Sequence, residues 1–255
     1  MRDGGIEMKK LWTGSALIVM VILIFSFSAT AGTVAEADAL YDQGGLENYG
    51  KAIGIYEQLL ETSPGDFDLN WKRARAFREY GETAKKQEVE GWKDICKEYG
   101  RKGMQSAAKA REIKPDHPAG HYYYGLCVGI YSDGTGILTA LKEGLKDKTQ
   151  SSFEKAYELD KMYEDAGSIL ALGRFWAVLP WPMASKKKSL AYYREYQKTP
   201  YFQQRDEGKI YLAELLIDKG GKDNKAEARQ ILAQAVKTDD AYFKAWAERL
   251  MAKAK

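Results

Sequence analysis

Residues 52–64 read AIGIYEQLLETSP, and within them the small residue Ala52 is followed seven residues later by Leu59 and five residues after that by Pro64. A comparable spacing recurs three times, at Gly103, Ala110 and Pro115, at Thr149, Ala156 and Lys161, and at Ala228, Ala235 and Asp240. A small residue lets a second helix lie close against the first, and another about two turns later marks the same face. The spacing therefore predicts a helical hairpin that repeats along the chain.

Apolar residues recur at three- and four-residue spacing after residue 32, as they do at Ile231, Leu232, Ala235 and Val236. This period favours helices, and no stretch shows the two-residue alternation that is typical of strands. One hairpin cannot bury its own apolar face, so neighbouring hairpins are expected to stack into a solenoid. We therefore expect an all-α fold in which residues 32–255 form a single domain of about four to five helix pairs.

Two stretches resemble the first helix of the tetratricopeptide repeat (TPR) family, whose members repeat a helix–turn–helix unit about every 34 residues. In AGHYYYGLCVGIY, residues 119–131, Gly125 matches the glycine of that helix, and Gly173 does so in SILALGRFW, residues 168–176. The resemblance covers about residues 34–253. It implies a TPR-like helical-hairpin solenoid and is unspecific about function.

The repeats are interrupted by extra residues between the two helices of a pair. The sequence places these insertions near residues 83–99, 132–148 and 179–185. Insertions in solenoids tend to lie on one face and often serve binding.

Two of the insertions indicate a narrower resemblance. Residues 134–160, GTGILTALKEGLKDKTQSSFEKAYELD, and residues 172–182, LGRFWAVLPWP, resemble exported TPR proteins related to the T-component of TRAP transporters. That resemblance implies a periplasmic helical protein that associates with a solute-binding protein and can hold a small hydrophobic ligand. A looser resemblance exists to the eukaryotic regulator-of-microtubule-dynamics proteins.

The beginning of the chain predicts a compartment. Lys9 and Lys10 precede an apolar run at residues 16–29, and Ala29 and Ala31 supply small residues at the two positions that a signal peptidase reads. This arrangement is typical of a secretory signal peptide, and the run is short for a membrane span of roughly 20 apolar residues. We expect residues 1–31 to be removed after Ala31 and the protein to be periplasmic or secreted, with an uncleaved N-terminal anchor as the alternative.

The charge of the chain does not favour nucleic acid as a partner. The 39 basic and 36 acidic residues are intermixed and give a formal net charge of +3. A nucleic-acid-binding surface normally needs a clear basic excess. The two cysteines, Cys96 and Cys127, fall in helix-like segments, and we interpret them as small buried side chains, with a disulfide as the alternative.

The sequence carries no recognisable catalytic or metal site. His117 and His121 are four residues apart, but Pro118 places His117 at a helix cap, and a structural zinc site would need two further ligands. With two histidines in the chain, a histidine-based triad is not expected. We therefore predict no enzyme activity, no cofactor and no bound metal. The run of lysines at residues 186–188 is interpreted as a solvated face, with contact to an anionic lipid or partner as the alternative.

Aromatic and arginine side chains are the best candidates for contact with a partner. In TPR proteins the first helices line the concave groove, and the resemblance implies that a group of five residues faces it: Trp71, Arg75, Arg78, Tyr122 and Arg174. Arginines among aromatic residues suit a peptide carboxylate or an acidic small molecule. Trp176 and Trp181 are candidate contacts of the last insertion or of a ligand.

Two functions remain open on these observations. The first is an interaction module or scaffold that binds another exported protein, and a transporter-accessory component is its special case. The second is a protein that holds a lipid or other small hydrophobic molecule in a cavity near residues 134–146 and 179–183, because bundled helices can enclose such pockets.

Overall fold

The computed structural model describes Met1 and residues 32–254, and the described residues contain helices but no strand, so the predicted all-α class is confirmed. The helices, in chain order, are α1 Val34–Gln43, α2 Leu46–Thr62, α3 Phe67–Lys86, α4 Trp92–Ile113, α5 Pro118–Thr135, α6 Ile137–Lys142, α7 Leu145–Leu159, α8 Tyr163–Val178, α9 Lys186–Gln197, α10 Tyr201–Gln204, α11 Asp206–Lys219, α12 Lys222–Ala235 and α13 Ala241–Lys253. The predicted signal peptide lies outside the described residues.

Polar side chains and glycines define where the helices begin and end. Asp66 accepts a hydrogen bond from the backbone N–H of Leu69 and thereby caps α3. The side chain of Asp240 does the same for the start of α13. Such caps satisfy backbone donors that the first helical turn leaves unpaired. At the other end, Gly136 follows α5 with a φ of 88°, a conformation that side chains other than glycine rarely adopt.

The helices pack as consecutive pairs. The pairs are α1 with α2, α3 with α4, α5 with α7, α8 with α9, and α11 with α12, while α13 packs on α11 and α12. The short helix α6 lies inside the connection between α5 and α7. Stacking of successive pairs gives the predicted helical-hairpin solenoid, in which each pair contacts its neighbours.

The small residues of the repeat permit this close packing. A Cβ atom added to Gly103 would lie 2.4 Å from the Cys127 sulfur, and one added to Gly125 would lie 2.4 Å from the Phe153 ring. Those separations are far shorter than van der Waals contact. With a larger side chain at these positions, α5 could not pack as closely against α4 or against α7. The structure therefore explains why glycine occurs at these positions.

The first insertion is mostly helical. Of residues 83–99, only residues 87–91 lie between helices, because α3 and α4 extend to 20 and 22 residues respectively. The second insertion contains α6, whereas residues 179–185 form an irregular connection between α8 and α9. Longer helices thus accommodate part of the sequence that the repeat spacing assigns to a connection.

The described residues 32–254 form one compact unit. Within them, the apolar interior comprises three clusters of buried side chains drawn from residues 37–250. A core of this extent is expected to let the unit fold by itself.

Both cysteines are free and fully buried. The Cys96 thiol donates to the carbonyl of Gly81, and the Cys127 thiol donates to the carbonyl of Ala74. This matches the interpretation of small buried side chains. Among the helices of the described residues, none has both the length and the hydropathy needed to cross a bilayer.

Candidate partner-binding groove

The first helices of the hairpins line a cavity of about 780 Å³, which we call the groove. Its lining includes residues of α3, α5, α8 and α11, and α13 adds three aromatic side chains, Tyr242, Phe243 and Trp246. A volume of this size falls within the range of known small-molecule pockets. The groove thus offers enough space for a ligand or for a segment of a partner.

One wall of the groove is apolar. It is formed by side chains of α6, α7 and α8 together with the residue after α8, and its members are Ile137, Leu141, Leu145, Phe153, Leu170, Phe175 and Leu179. Most of this wall comes from the second insertion and the helices beside it. The segments predicted to surround a cavity, residues 134–146 and 179–183, therefore both contribute to the groove.

Another part of the groove lining is charged. Arg78 pairs with Glu79, and Lys85 pairs with Asp133 at 2.8 Å. Burial raises the pKa of the Glu82 carboxyl, but the positive charges of Arg78 and Lys85 outweigh burial and hold that pKa below its ordinary value. Glu82 therefore remains ionised, and the lining carries alternating positive and negative groups.

Two arginines in or beside the groove have buried N–H donors for which the described part of the chain offers no hydrogen-bond acceptor. Among the described residues, no acceptor receives a hydrogen bond from the buried Nε atoms of Arg75 and Arg78. Buried donors are normally satisfied, so a donor without a partner is a candidate contact for a bound acceptor. Carboxylate and carbonyl oxygens are the acceptors that arginine prefers.

Arg174 is held between aromatic rings and an acid. Its guanidinium lies 4.5 Å from the ring centre of Tyr211 and 5.6 Å from that of Trp246, and it pairs with Glu214 at 2.5 Å. These contacts fix the side chain in the lining of the groove. Because these contacts hold the guanidinium, Arg174 is less free to contact a partner than an exposed arginine would be.

The sequence-predicted groove residues separate into two groups. Arg78, Tyr122 and Arg174 line the groove. Arg75 and Trp71 lie beside it: the guanidinium of Arg75 is 3.7 Å from the Tyr41 ring centre and 5.0 Å from that of Trp71. Their binding roles remain predictions, and Tyr122, only 7% exposed, also packs as a core residue.

Trp176 and Trp181 lie outside the groove lining. Trp176 is buried beneath the ammonium group of Lys188, whose Nζ lies 3.9 Å from the ring centre, whereas Trp181 is 90% exposed. The helical period explains the difference, because Trp176 ends a buried stripe of α8 and Trp181 stands in the irregular connection after it.

Sequence reasoning missed several lining residues. Glu82 and Lys85 lie on the α3 face that also carries Arg75 and Arg78, so helical spacing could have indicated them. Trp246 and the other α13 aromatic residues could not be assigned in this way, because their position depends on how the last helix packs against distant ones. His117 caps α5, as Pro118 predicts, by accepting a hydrogen bond from the N–H of Ala119.

Comparison with known proteins identifies relatives of this chain. A family model described as Regulator of microtubule dynamics protein 1-3 matches residues 33–184, more than half of the chain. Regulator of microtubule dynamics protein 1 of Mus musculus is 28% identical over 169 residues, which are 65% of this chain and 50% of the mouse protein. The Bos taurus protein of the same name is 31% identical over 150 residues, 57% of this chain and 43% of the bovine protein. The chain spans about half the length of these relatives.

A solved structure supports the fold. The crystal structure of a thermophilic TPR protein of Thermus thermophilus superposes with a TM-score of 0.61 and covers 86% of this chain and 97% of its own. The two sequences are 16% identical, so this likeness concerns the fold alone. It confirms the TPR-like solenoid that the repeat spacing predicts.

These findings correct two expectations. The predicted periplasmic or secreted location is wrong, because the relatives are animal proteins named for microtubule dynamics, a name that fits neither compartment. A basic start followed by a short apolar run also occurs in segments that direct proteins to other compartments, so this pattern does not specify the location. The comparisons also give no support to the TRAP T-component resemblance, and the transporter-accessory role, which depends on the periplasm, is not retained. The family match agrees instead with the looser of the two resemblances, and the chain belongs to the Regulator of microtubule dynamics protein 1-3 family.

Proposed function

We propose that this chain is a protein-interaction module whose groove binds a segment of a partner protein. The TPR-like fold supports this proposal, because solenoids of this kind use extended concave surfaces for binding. The relatives are named as regulators of microtubule dynamics, and we propose that the partner belongs to the same process. The second point extends from relatives that are about twice as long as the matched region.

The observation that carries the proposal is the combination of open volume and unsatisfied donors. The groove holds about 780 Å³ of space, and the Nε atom of Arg78, which belongs to its charged lining, lacks an acceptor among the described residues. A peptide segment can supply a carbonyl or carboxylate oxygen to Arg78 and place an apolar side chain against the apolar wall. Such a two-part contact gives affinity from burial and orientation from the charged hydrogen bonds.

Gly129 offers a direct way to test the groove. It lies in α5, lines the groove and is exposed, and a Cβ atom added there meets no atom within 4 Å. Gly129→Trp is therefore expected to fill the groove without disturbing the core. Gly129→Ala adds only a methyl group and should raise helix stability by about 1 kcal/mol.

The experiment compares proteins captured by the wild-type chain and by each variant, quantified by mass spectrometry. Proteins retained by the wild type and by Gly129→Ala but lost with Gly129→Trp would support binding in the groove. Gly54→Trp is the matched control, because Gly54 lies in α2 outside the groove lining and its added Cβ also meets no atom within 4 Å. Equal capture by Gly129→Trp and the wild type would contradict the proposal.

A second assay addresses the proposed process. The purified chain is added to polymerising tubulin, alone and together with each captured partner, and growth is followed by turbidity. A change in growth that Gly129→Trp removes and Gly54→Trp retains is expected. No change under any of these conditions would reject the microtubule link and leave the interaction module to be judged by capture alone.

A second candidate function is favoured by the apolar wall. We propose as the alternative that the groove holds a small hydrophobic or lipid-like molecule against residues of α6, α7 and α8. Ala171 lines this part of the groove and is half-buried, whereas the half-buried Ala177 on the same helix does not line it. Uptake of a dansyl-labelled fatty acid should fall with Ala171→Phe and persist with Ala177→Phe. No uptake by the wild type, with no small molecule in its native mass spectrum, would reject this alternative.

A further inference from the structure

Three apolar side chains are exposed near the connections that follow α5 and α8. Trp181 is 90% exposed, Leu138 is 63% exposed and Val178 is 42% exposed. Scattered exposed apolar residues are ordinary on a protein surface. A group of them on neighbouring segments is informative, because such a patch usually contacts another surface.

Ion pairs and a shared cavity lining place these connections at the same end of the helices. Lys85 near the end of α3 pairs with Asp133 near the end of α5, and Lys186 at the start of α9 pairs with Asp218 near the end of α11. Ile137, just after α5, and Val178, at the end of α8, both line the groove, so the two connections meet at one edge, the rim of the groove. Leu138 belongs to the connection between α5 and α7, and Trp181 belongs to the corresponding connection of the next pair.

The same edge is basic beside the exposed tryptophan. Residues 179–188 contain three lysines and no acidic residue. The connection at the other end of the same helices, residues 158–165, contains four acidic residues and one lysine. The two ends of this part of the solenoid thus differ in the sign of their charge, and an anionic surface would orient the protein with the tryptophan facing it.

The lysines are held at the surface. All three are exposed, and Lys188 stays close to the protein because its ammonium group rests on the buried ring of Trp176. Lys186 contacts Asp218 near the end of α11. Their positive charges follow Trp181 by five to seven residues in the chain, and none of the three lysines lines the groove.

We infer that this edge, comprising Leu138, Val178, Trp181 and the lysines at residues 186–188, binds the surface of a membrane that contains anionic lipids. An indole ring is suited to the membrane interface, because it buries an apolar body and keeps a polar N–H near water. Clustered lysines are attracted to anionic headgroups. Stable attachment at a membrane surface generally needs two such contributions, and this edge supplies both.

A protein partner fits this edge less well. Protein interfaces are depleted in lysine, whereas this patch places three consecutive lysines beside its most exposed apolar residue. Of the residues of this edge, Val178 also lines the groove, whereas Leu138, Trp181 and residues 186–188 do not, so variants at those positions test the edge separately from the groove.

The test uses residues 32–255, which bury their own core, and vesicles of phosphatidylcholine with or without about 30% phosphatidylserine. Ala184 is exposed between Trp181 and the lysines, so Ala184→Cys can carry an environment-sensitive nitrobenzoxadiazole label. Because Cys96 and Cys127 are fully buried, the label should attach selectively. We expect the emission to shift to the blue and the protein to sediment with the vesicles that contain phosphatidylserine, and less with phosphatidylcholine alone.

Two variants separate the apolar contribution to vesicle binding from the electrostatic one. Trp181→Ala combined with Leu138→Ala should lower vesicle binding on the order of tenfold, since it removes the apolar insertion. Replacement of Lys186, Lys187 and Lys188 by Gln should lower binding by about tenfold or more with anionic vesicles and by little with neutral ones.

Matched controls keep the result interpretable. Met162→Ala removes an exposed apolar side chain from the connection at the other end of α7 and α8, and Lys109, Lys155 and Lys222 are exposed lysines of three other helices. These replacements should leave binding unchanged. The inference is overturned if anionic vesicles fail to bind the wild type, or if the Trp181 and lysine variants bind as well as the controls.

Discussion

The ammonium nitrogen of Lys86 lies 4.5 Å from the ring centre of Phe243, so the end of α3 meets the beginning of α13 across 157 residues of sequence. Phe243 and Tyr242 line the groove together with residues of α3. The contact therefore bounds the groove where the first part of the solenoid approaches its last helix. The same nitrogen lies 5.7 Å from the ring centre of Tyr242, so Lys86 makes two cation–π contacts with α13.

Lys86→Met should loosen this contact while changing global stability little. An exposed cation–π pair contributes about 0.5–1 kcal/mol, and the methionine retains most of the aliphatic stem. Hydrogen exchange should become faster at the N-terminal turn of α13 and remain unchanged in α5. Lys51→Met, at an exposed lysine of α2, is the control. Unchanged exchange in α13 would show that the contact does not hold that helix.

Gly125→Ala should destabilise the protein, whereas Gly129→Ala on the same helix should not. The Cβ atom at position 125 would lie 2.4 Å from the Phe153 ring, while that at position 129 meets nothing within 4 Å. Overpacking of this kind costs about 1–3 kcal/mol, against a gain of roughly 1 kcal/mol in helix propensity. Urea unfolding of the two variants measures the difference. Equal midpoints would contradict the close helix packing at Gly125.

The Asp38 carboxylate should contribute to stability above acidic pH. Burial raises its pKa, but hydrogen bonds from Lys72 and Tyr56 and the positive charge of Lys72 outweigh burial, so the pKa in the folded protein lies below its ordinary value of 3.8. The contribution is therefore complete above the unfolded value and is lost as the pH falls through the lower folded value. Asp38→Asn should weaken the loss of stability with acid, as followed by thermal unfolding between about pH 5 and pH 2. Glu61→Gln, at an exposed position, is the control, and an unchanged acid profile for Asp38→Asn would refute the expectation.

The two thiols should be unreactive in the folded protein. Burial raises the pKa of both Cys96 and Cys127 to about 12, and neither side chain is exposed. Because the thiolate is the reactive species, modification by a maleimide at about pH 8 should proceed only as fast as the protein unfolds. The engineered thiol of Ala184→Cys is the positive control. Rapid labelling of the native cysteines before any unfolding signal would contradict their burial.

Close helix contacts and one helix cap were predicted correctly from the sequence. The repeat spacing predicted a close helix contact at Gly103, and Gly125 and Gly173 carried the resemblance to the TPR family; the structure places a neighbouring side chain against each of the three. Pro118 predicted the cap at His117. These features depend on a few adjacent residues, so the local sequence contains the information that specifies them.

The lining of the groove could be predicted only in part from local sequence patterns. Arg78, Tyr122 and Arg174 were assigned by the repeat frame and line the groove, but Trp71 and Arg75 lie beside it, and Lys85 and Trp246 were not anticipated. The segments predicted to surround a cavity, residues 134–146 and 179–183, both contribute to the lining. The compartment was wrongly predicted because an apolar run does not by itself specify a destination.

The sequence by itself determined that the chain folds into stacked helical hairpins, because hydrophobic period, small residues and helix caps act within one or two turns of helix. Only the tertiary structure decided that α13 reaches Lys86 of α3 and that Trp246 joins residues of α3 in the lining of the groove. Those relationships arise from the small rotation between successive hairpins, which accumulates along the solenoid and brings together residues that no local spacing connects.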